Sequence, residues 1–140
     1  MPSSTPLRIV IVGGGIAGLA AAIALRGPNR QITILEQSRL CNEIGATISL
    51  QPNATRILQQ NWGISDLLEG ANGMVDHGFR IYNTQGKMVN EIPLLAKKQY
   101  GADRIMWHRQ DLHSHLMKVV KDEARNGPPP VVRTSSRVVD

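Results

Sequence analysis

One cysteine, Cys41, stands among 140 residues, which excludes an intrachain disulfide and points to a reducing, cytoplasmic compartment. It has no activating neighbour in sequence and reads as a small packing residue rather than a nucleophile. Aromatic residues make up only 4% of the chain, too few for the stacking platform of a single-strand nucleic-acid binder. The formal net charge is +5, yet the longest basic cluster is Lys97-Lys98. No nucleic-acid partner is expected, only a mildly basic surface that helps to attract an anionic cofactor or substrate.

Long apolar runs are also missing. Leu7 to Leu25 has the length of a membrane span, but Arg8 and three consecutive glycines interrupt it, so no span is expected. The start, Met1-Pro2-Ser3-Ser4-Thr5-Pro6, lacks the charged and apolar regions of a signal peptide. No ligand cluster supports a metal: in His113-x-His115 the two residues lie two apart on a helix and do not face one another. With 41% hydrophobic and 19% charged residues, the chain reads as one globular domain, residues 1–140, with a core of its own.

What is present is concentrated at the start. The apolar run Leu7-Arg8-Ile9-Val10-Ile11-Val12 meets Gly13-Gly14-Gly15-Ile16-Ala17-Gly18. A helical stretch from Leu19 to Arg26 follows, then a strand, Gln31 to Leu35, which ends on Glu36. This is G-x-G-x-x-G between strand and helix with an acidic residue about 20 positions on, the dinucleotide fingerprint in its required context. Gly13 permits the tight turn. Gly15 leaves room for a pyrophosphate, and Gly18 lets the helix pack closely on the sheet. The helix aims its unpaired N–H groups and the positive end of its dipole at the phosphates. Glu36 accepts hydrogen bonds from the adenosine ribose and repels a 2′-phosphate, which favours FAD or NAD over NADP. The plainer alternative is a glycine-rich turn that merely joins strand to helix.

Further along, Gly27-Pro28-Asn29 closes the first helix. Ile44 to Leu50 reads as a turn entering a short strand, Pro52-Asn53 opens a helix over Ala54 to Gln60, and Ile64 to Leu68 is a helical turn. Alternation at Phe79 to Tyr82 and Met88 to Ile92 predicts a hairpin turning at Asn83-Thr84-Gln85-Gly86. Arg104 to His108 is a further strand. Leu112, Leu116, Val119 and Val120 give Gln110 to Ala124 a helical face. Asn126-Gly127-Pro128-Pro129-Pro130 stops that helix, and Val131 to Val139 reads as a last strand. The antiparallel excursion after the second strand departs from the plain alternation of a dehydrogenase domain.

Three segments in this order resemble the class A, salicylate hydroxylase-like FAD-dependent aromatic monooxygenases. They are Ile11 to Leu19 with Glu36; Glu43-Ile44-Gly45-Ala46-Thr47-Ile48-Ser49-Leu50-Gln51-Pro52-Asn53-Ala54; and His108-Arg109-Gln110-Asp111-Leu112-His113, which is similar to the family's H-R-x-D-L stretch. The resemblance implies an α/β fold, a Rossmann-like βαβ FAD-binding domain with a small antiparallel β insertion, incomplete at the C-terminus. It implies FAD as cofactor, NAD(P)H as co-substrate and a small aromatic substrate. Gly13, Gly15 and Gly18 would hold the pyrophosphate and Glu36 the ribose. The backbone at Ala46 and Thr47 would line the flavin side, although the family usually has glycine where Thr47 stands. Arg109 would reach the phosphate and ribityl part; a salt bridge with Asp111 is the other role open to it. Asp111 itself reads as a helix-start residue. The family's two later flavin motifs have no counterpart before Asp140, so a truncated N-terminal portion without a catalytic residue, not competent alone, is expected. Two alternatives stay open: an NAD-binding dehydrogenase module, and a non-enzymic remnant or partner-binding module.

Overall fold

A computed structural model describes residues 5–39 and 45–139. Cys41, Glu43, Ile44 and the start at Met1 to Ser4 lie outside them, so the readings made of those residues have no structural counterpart. The chain divides into two compact units, one formed by residues up to Ala46 together with those from Arg109 onward, the other by Thr47 to His108.

The first unit is built on a parallel sheet of β1 (Leu7–Val12), β2 (Arg30–Leu35) and β8 (Val131–Arg133), in the order β1-β2-β8. Ile9 pairs with Ile32 and Ile11 with Ile34; Thr33 pairs with Val131 on the other side of β2. As the middle strand, β2 buries Ile32 and Ile34. Helix α1 (Ile16–Leu25) runs from the end of β1 toward the start of β2 and packs on α5 (Arg109–Lys121). Its sequence, IAGLAAAIAL, is rich in alanine and leucine, the best helix formers. Leu19, Ala22, Ile23, Leu112, Leu116 and Val120 are buried, so the apolar stripes of the two helices supply most of this core.

In the second unit, β3 (Thr47–Leu50), β7 (Ile105–His108) and β4 (Met74–Val75) form an antiparallel sheet in the order β3-β7-β4. Trp107 and Ile105 are buried in it. Gly73 lies against the Trp107 indole so closely that a side chain there would overlap it. Helix α2 (Pro52–Arg56) is continued by a π-helical turn, Ile57–Asn61, in which the Trp62 N–H reaches the Ile57 carbonyl at 3.0 Å. The hairpin of β5 (Gly78–Tyr82) and β6 (Met88–Pro93) is antiparallel with an irregularity at Ile81/Tyr82. The Asn83 side chain closes its turn by accepting from the N–H of Gln85 at 3.1 Å and of Lys87 at 2.9 Å. Arg104 donates to Ser49 Oγ at 2.9 Å and to Asp76 at 3.3 Å, and its guanidinium stands 5.3 Å from the centre of the Phe79 ring.

The parallel βαβ start and the antiparallel insertion are both present, which is the fold class read from the sequence. Several elements differ in extent. The helix expected over Ala54 to Gln60 starts earlier and changes its winding after Arg56. The turn expected at Ile64 to Leu68 is α3 (Leu67–Gly70), and α4 (Ala96–Tyr100) and β4 were not anticipated. α4 ends on Gly101 at φ +76°, a left-handed cap that glycine takes without strain. The last strand stops at Arg133 instead of running to Val139. Ser135 takes φ +52°, and its N–H and that of Ser136 turn to the carbonyls of Ser38 and Glu36, so the chain leaves the ladder.

Helix α5 stops at Lys121, three residues short of the expected Ala124, and the turn that follows it is held by Arg26. The Arg26 guanidinium donates to the carbonyls of Asp122 (2.7 Å), Gly127 (2.8 Å) and Val120 (3.3 Å), among others. Gly127 in turn presses on the backbone of Gly27, so the turns that end α1 and α5 are locked together. Arg26→Leu leaves these carbonyls without their charged donor and should cost roughly 2–3 kcal/mol. Arg26→Lys, which cannot form the fork, should recover only part of that. Urea denaturation of the three chains checks the order.

Candidate functional site

The turn between β1 and α1 is built from glycines that the geometry does not treat alike. Gly13 has φ +103°, a backbone state closed to residues with a Cβ, and its N–H bonds to the Leu35 carbonyl at 2.8 Å. A Cβ on Gly18 would overlap the Gly13 carbonyl oxygen. The closest approach at Gly18 is to the turn itself, and the Ile11 side chain of β1 stands next at 3.5 Å. At Gly15 the opposite holds: an added Cβ would meet nothing within 4 Å. Gly15 caps α1 in an extended conformation and supplies no side-chain cap to the first N–H groups of the helix.

Glu36, one residue beyond the end of β2, touches that turn. Its Oε2 accepts the Gly14 N–H at 2.6 Å and its Oε1 the Ser38 N–H at 2.7 Å. The bond from Ser38, followed by that from Gly14, holds the carboxyl below the usual carboxylate range against the opposing effect of burial. Gly14 was passed over in the sequence as one of the variable positions of the motif. A Cβ there would come within 3.1 Å of the Glu36 Cβ, which makes the residue part of the same constellation.

A groove of about 380 Å³ opens at the carboxyl ends of β1 and β2, lined by Val12, Gly13, Leu35, Glu36, Ser136 and Arg137 among others. Two other pockets lie in the second unit, one against Gln51, Asn53, Arg56 and Tyr100 and one against Asp76, Arg80 and Glu91; neither contains a residue named from the sequence as a site residue.

Gly13, Gly15, Gly18 and Glu36 are thus brought together at one end of the parallel sheet. Arg109 opens α5 and donates its backbone N–H to the Ala46 carbonyl at 2.8 Å. Thr47 belongs to the second unit, where it pairs with His108. His113 is buried, and its Nε2 lies 2.7 Å from the Gly14 carbonyl oxygen. Sequence reasoning weighed this histidine only as a metal ligand; its place on the inward face of α5 with Leu112 and Leu116 was the signal that it belongs to the interior. Among the described residues no group of three His, Cys, Asp or Glu side chains is placed to hold a metal ion, and no helix is long and apolar enough to cross a membrane.

The NAD(P)-binding Rossmann-like domain model matches residues 11–92. Hispidin-3-hydroxylase of Neonothopanus nambi is 36% identical over 132 residues, 94% of this chain and 31% of that protein. The FAD-dependent monooxygenase OpS4 of Beauveria bassiana is 46% identical over 69 residues, 49% of this chain and 16% of that protein. In structure, HpxO of Klebsiella pneumoniae, solved with FAD, superimposes with a TM-score of 0.72 at 20% identity, covering 94% of this chain and 32% of that one. The homologues are flavin-dependent aromatic hydroxylases and monooxygenases, in agreement with the likeness drawn from the three segments. The chain spans at most about a third of the length of the relatives it matches.

Two outcomes follow for the unliganded chain. Gly18→Ala drives a methyl into the Gly13 carbonyl and should cost more than about 2 kcal/mol, whereas Gly15→Ala, with open space in front of it, should leave the urea midpoint within experimental error of the parent. For Glu36 the folded-state pKa is depressed, so its contribution is complete above the unfolded value of about 4.3 and is lost as pH falls through the folded value. Glu36→Gln should remove that acid-side loss; urea midpoints followed from neutral pH downward should fall more steeply for the parent than for the variant.

Proposed function

Because this chain belongs to the NAD(P)-binding Rossmann-like domain family, and its homologues are flavin-dependent aromatic monooxygenases, we propose that it is the FAD-binding N-terminal part of such an enzyme. The observation that carries the reading is the groove at the carboxyl ends of β1 and β2, with Gly13 and Glu36 in its wall. The residues present fit an adenine dinucleotide. Gly13 and Gly18 shape the turn, and Gly15 lets a pyrophosphate approach the first N–H groups of α1. Glu36 holds the ribose hydroxyls and turns away a 2′-phosphate. Arg109, at the start of α5, would reach the phosphate and ribityl part, where its planar fork suits phosphate oxygens. The backbone at Ala46 and Thr47 lines the flavin side.

FAD supplies the redox chemistry that, in the complete enzyme, uses NAD(P)H and O₂ to hydroxylate a small aromatic substrate. This stretch of chain binds and orients the cofactor, its adenine half through the glycine turn and Glu36; no residue in it is assigned to the chemical step. A reducing, cytoplasmic setting is part of the reading, supported by the lone cysteine.

FAD titrated into the purified chain should be taken up and should protect it against thermal unfolding. Glu36→Ala should weaken FAD binding by about tenfold to a hundredfold, the worth of hydrogen bonds to a charged group. A chain that carries no flavin absorbance and gains none on adding FAD overturns the proposal. Uptake of NADH in place of FAD would move the reading to a dehydrogenase module.

A further inference from the structure

We propose that His113 is the positioning residue of the glycine turn: from α5 it holds the Gly14–Gly15 peptide in the one orientation that presents an N–H group to a pyrophosphate. The inference rests on the FAD reading above. It adds a residue that neither the fingerprint nor the H-R-x-D-L resemblance assigns.

A carbonyl oxygen has no proton to give, so at 2.7 Å from the Gly14 carbonyl the His113 Nε2 is the donor and carries the hydrogen. In a trans peptide the C=O and the following N–H point in opposite directions. Drawing the Gly14 carbonyl toward α5 therefore turns the Gly15 N–H away from α5. That is the side on which Gly15 is open, with nothing within 4 Å of where a Cβ would stand.

The brace is needed because of the residues that form the turn. Gly13, Gly14 and Gly15 carry no Cβ, so the peptide between the last two can rotate at little steric cost. Rotated by half a turn, it would aim a carbonyl oxygen, the negative end of the peptide dipole, at the incoming phosphate. Glu36 fixes the preceding peptide through the Gly14 N–H at 2.6 Å but leaves the Gly14 carbonyl to be held by something else. His113 is 5% exposed and is set by the packing of α5 on α1, so it reaches the carbonyl from a rigid element. The two side chains act on opposite ends of one residue, and the phosphate side of the turn is organised before any ligand arrives.

The test compares the parent chain with His113→Leu, which removes the donor, and His113→Gln, whose amide nitrogen restores one at similar reach. Calorimetric titrations with FAD, ADP and adenosine separate the phosphate contact from the ribose contact. His113→Leu should weaken FAD and ADP by about tenfold, the worth of one hydrogen bond, and leave adenosine unchanged; His113→Gln should return to within about threefold of the parent. Equal binding of ADP by parent and His113→Leu overturns the proposal, as does loss of ADP and adenosine together. The FAD reading fails separately, when the parent takes up neither FAD nor ADP. The brace is then decided on the unliganded chains by ¹⁵N NMR, which also serves if His113→Leu does not fold. An Nε2–H imidazole in the parent, and a Gly15 amide that keeps its position in His113→Gln, uphold it. An Nδ1–H imidazole, or a Gly15 amide displaced in His113→Gln, overturns it.

Discussion

The close contact between Gly18 and the Gly13 carbonyl is the constraint on which the first unit depends. It fixes where α1 starts relative to the end of β1, and no residue larger than glycine satisfies it. Once α1 is seated there, its Leu19, Ala22 and Ile23 reach the interior and α5 packs on it. The far ends of α1 and α5 are tied by Arg26, whose donors bridge the carbonyls that close α5. The two helices are thus pinned at opposite ends by different physics, steric exclusion at the glycine turn and charged hydrogen bonds at the C-termini.

The second unit is held in another way. Its sheet is short, and the hairpin of β5 and β6 exposes both faces, with Phe79, Ile81, Val89 and Ile92 all open to solvent. Two isolated strands are marginal in water. Here the strand ends are fixed by polar contacts: Asp76 accepts from the Gly78 N–H at 3.2 Å and pairs with Arg104, which also reaches Ser49. Arg80 and Glu91 pair across the hairpin at 2.8 Å, but both are exposed, and such a pair adds little. The structural weight of this unit lies on Trp107, Ile105 and the buried face of α2, and the hairpin is its least secured part.

The sequence made the βαβ start legible because each signal there is local. A glycine triplet, an alanine-rich helix and a charged residue at a strand end each declare themselves within a few residues. The hairpin was legible for the same reason, from alternation around Asn83 to Gly86. What escaped were features set by distant partners. The turn after α5 is held by Arg26, about a hundred residues away in the chain. The end of β8 depends on Ser135 and Ser136 turning back to Ser38 and Glu36. The role of His113 depends on Gly14, 99 positions earlier. No periodicity or spacing encodes such contacts, so a histidine on an inward helix face gave only its burial.

Glu36 shows why structure and binding are hard to separate at this site. Each carboxylate oxygen has two lone-pair directions, and each already accepts one backbone N–H, from Gly14 and from Ser38. The Ser38 hydroxyl and the Gln37 N–H bear on the same carboxylate, which would also have to accept from the hydroxyls of a ribose. A carboxylate meets both needs because it is acceptor-only. An amide of the same length turns an NH₂ toward one of the two backbone donors, losing a bond on the protein side while keeping one on the ligand side. A shorter carboxylate keeps the charge and loses the reach to Gly14. The residue that would recognise the adenosine is therefore also one that sets the turn, and the two tasks demand the same side chain for different reasons.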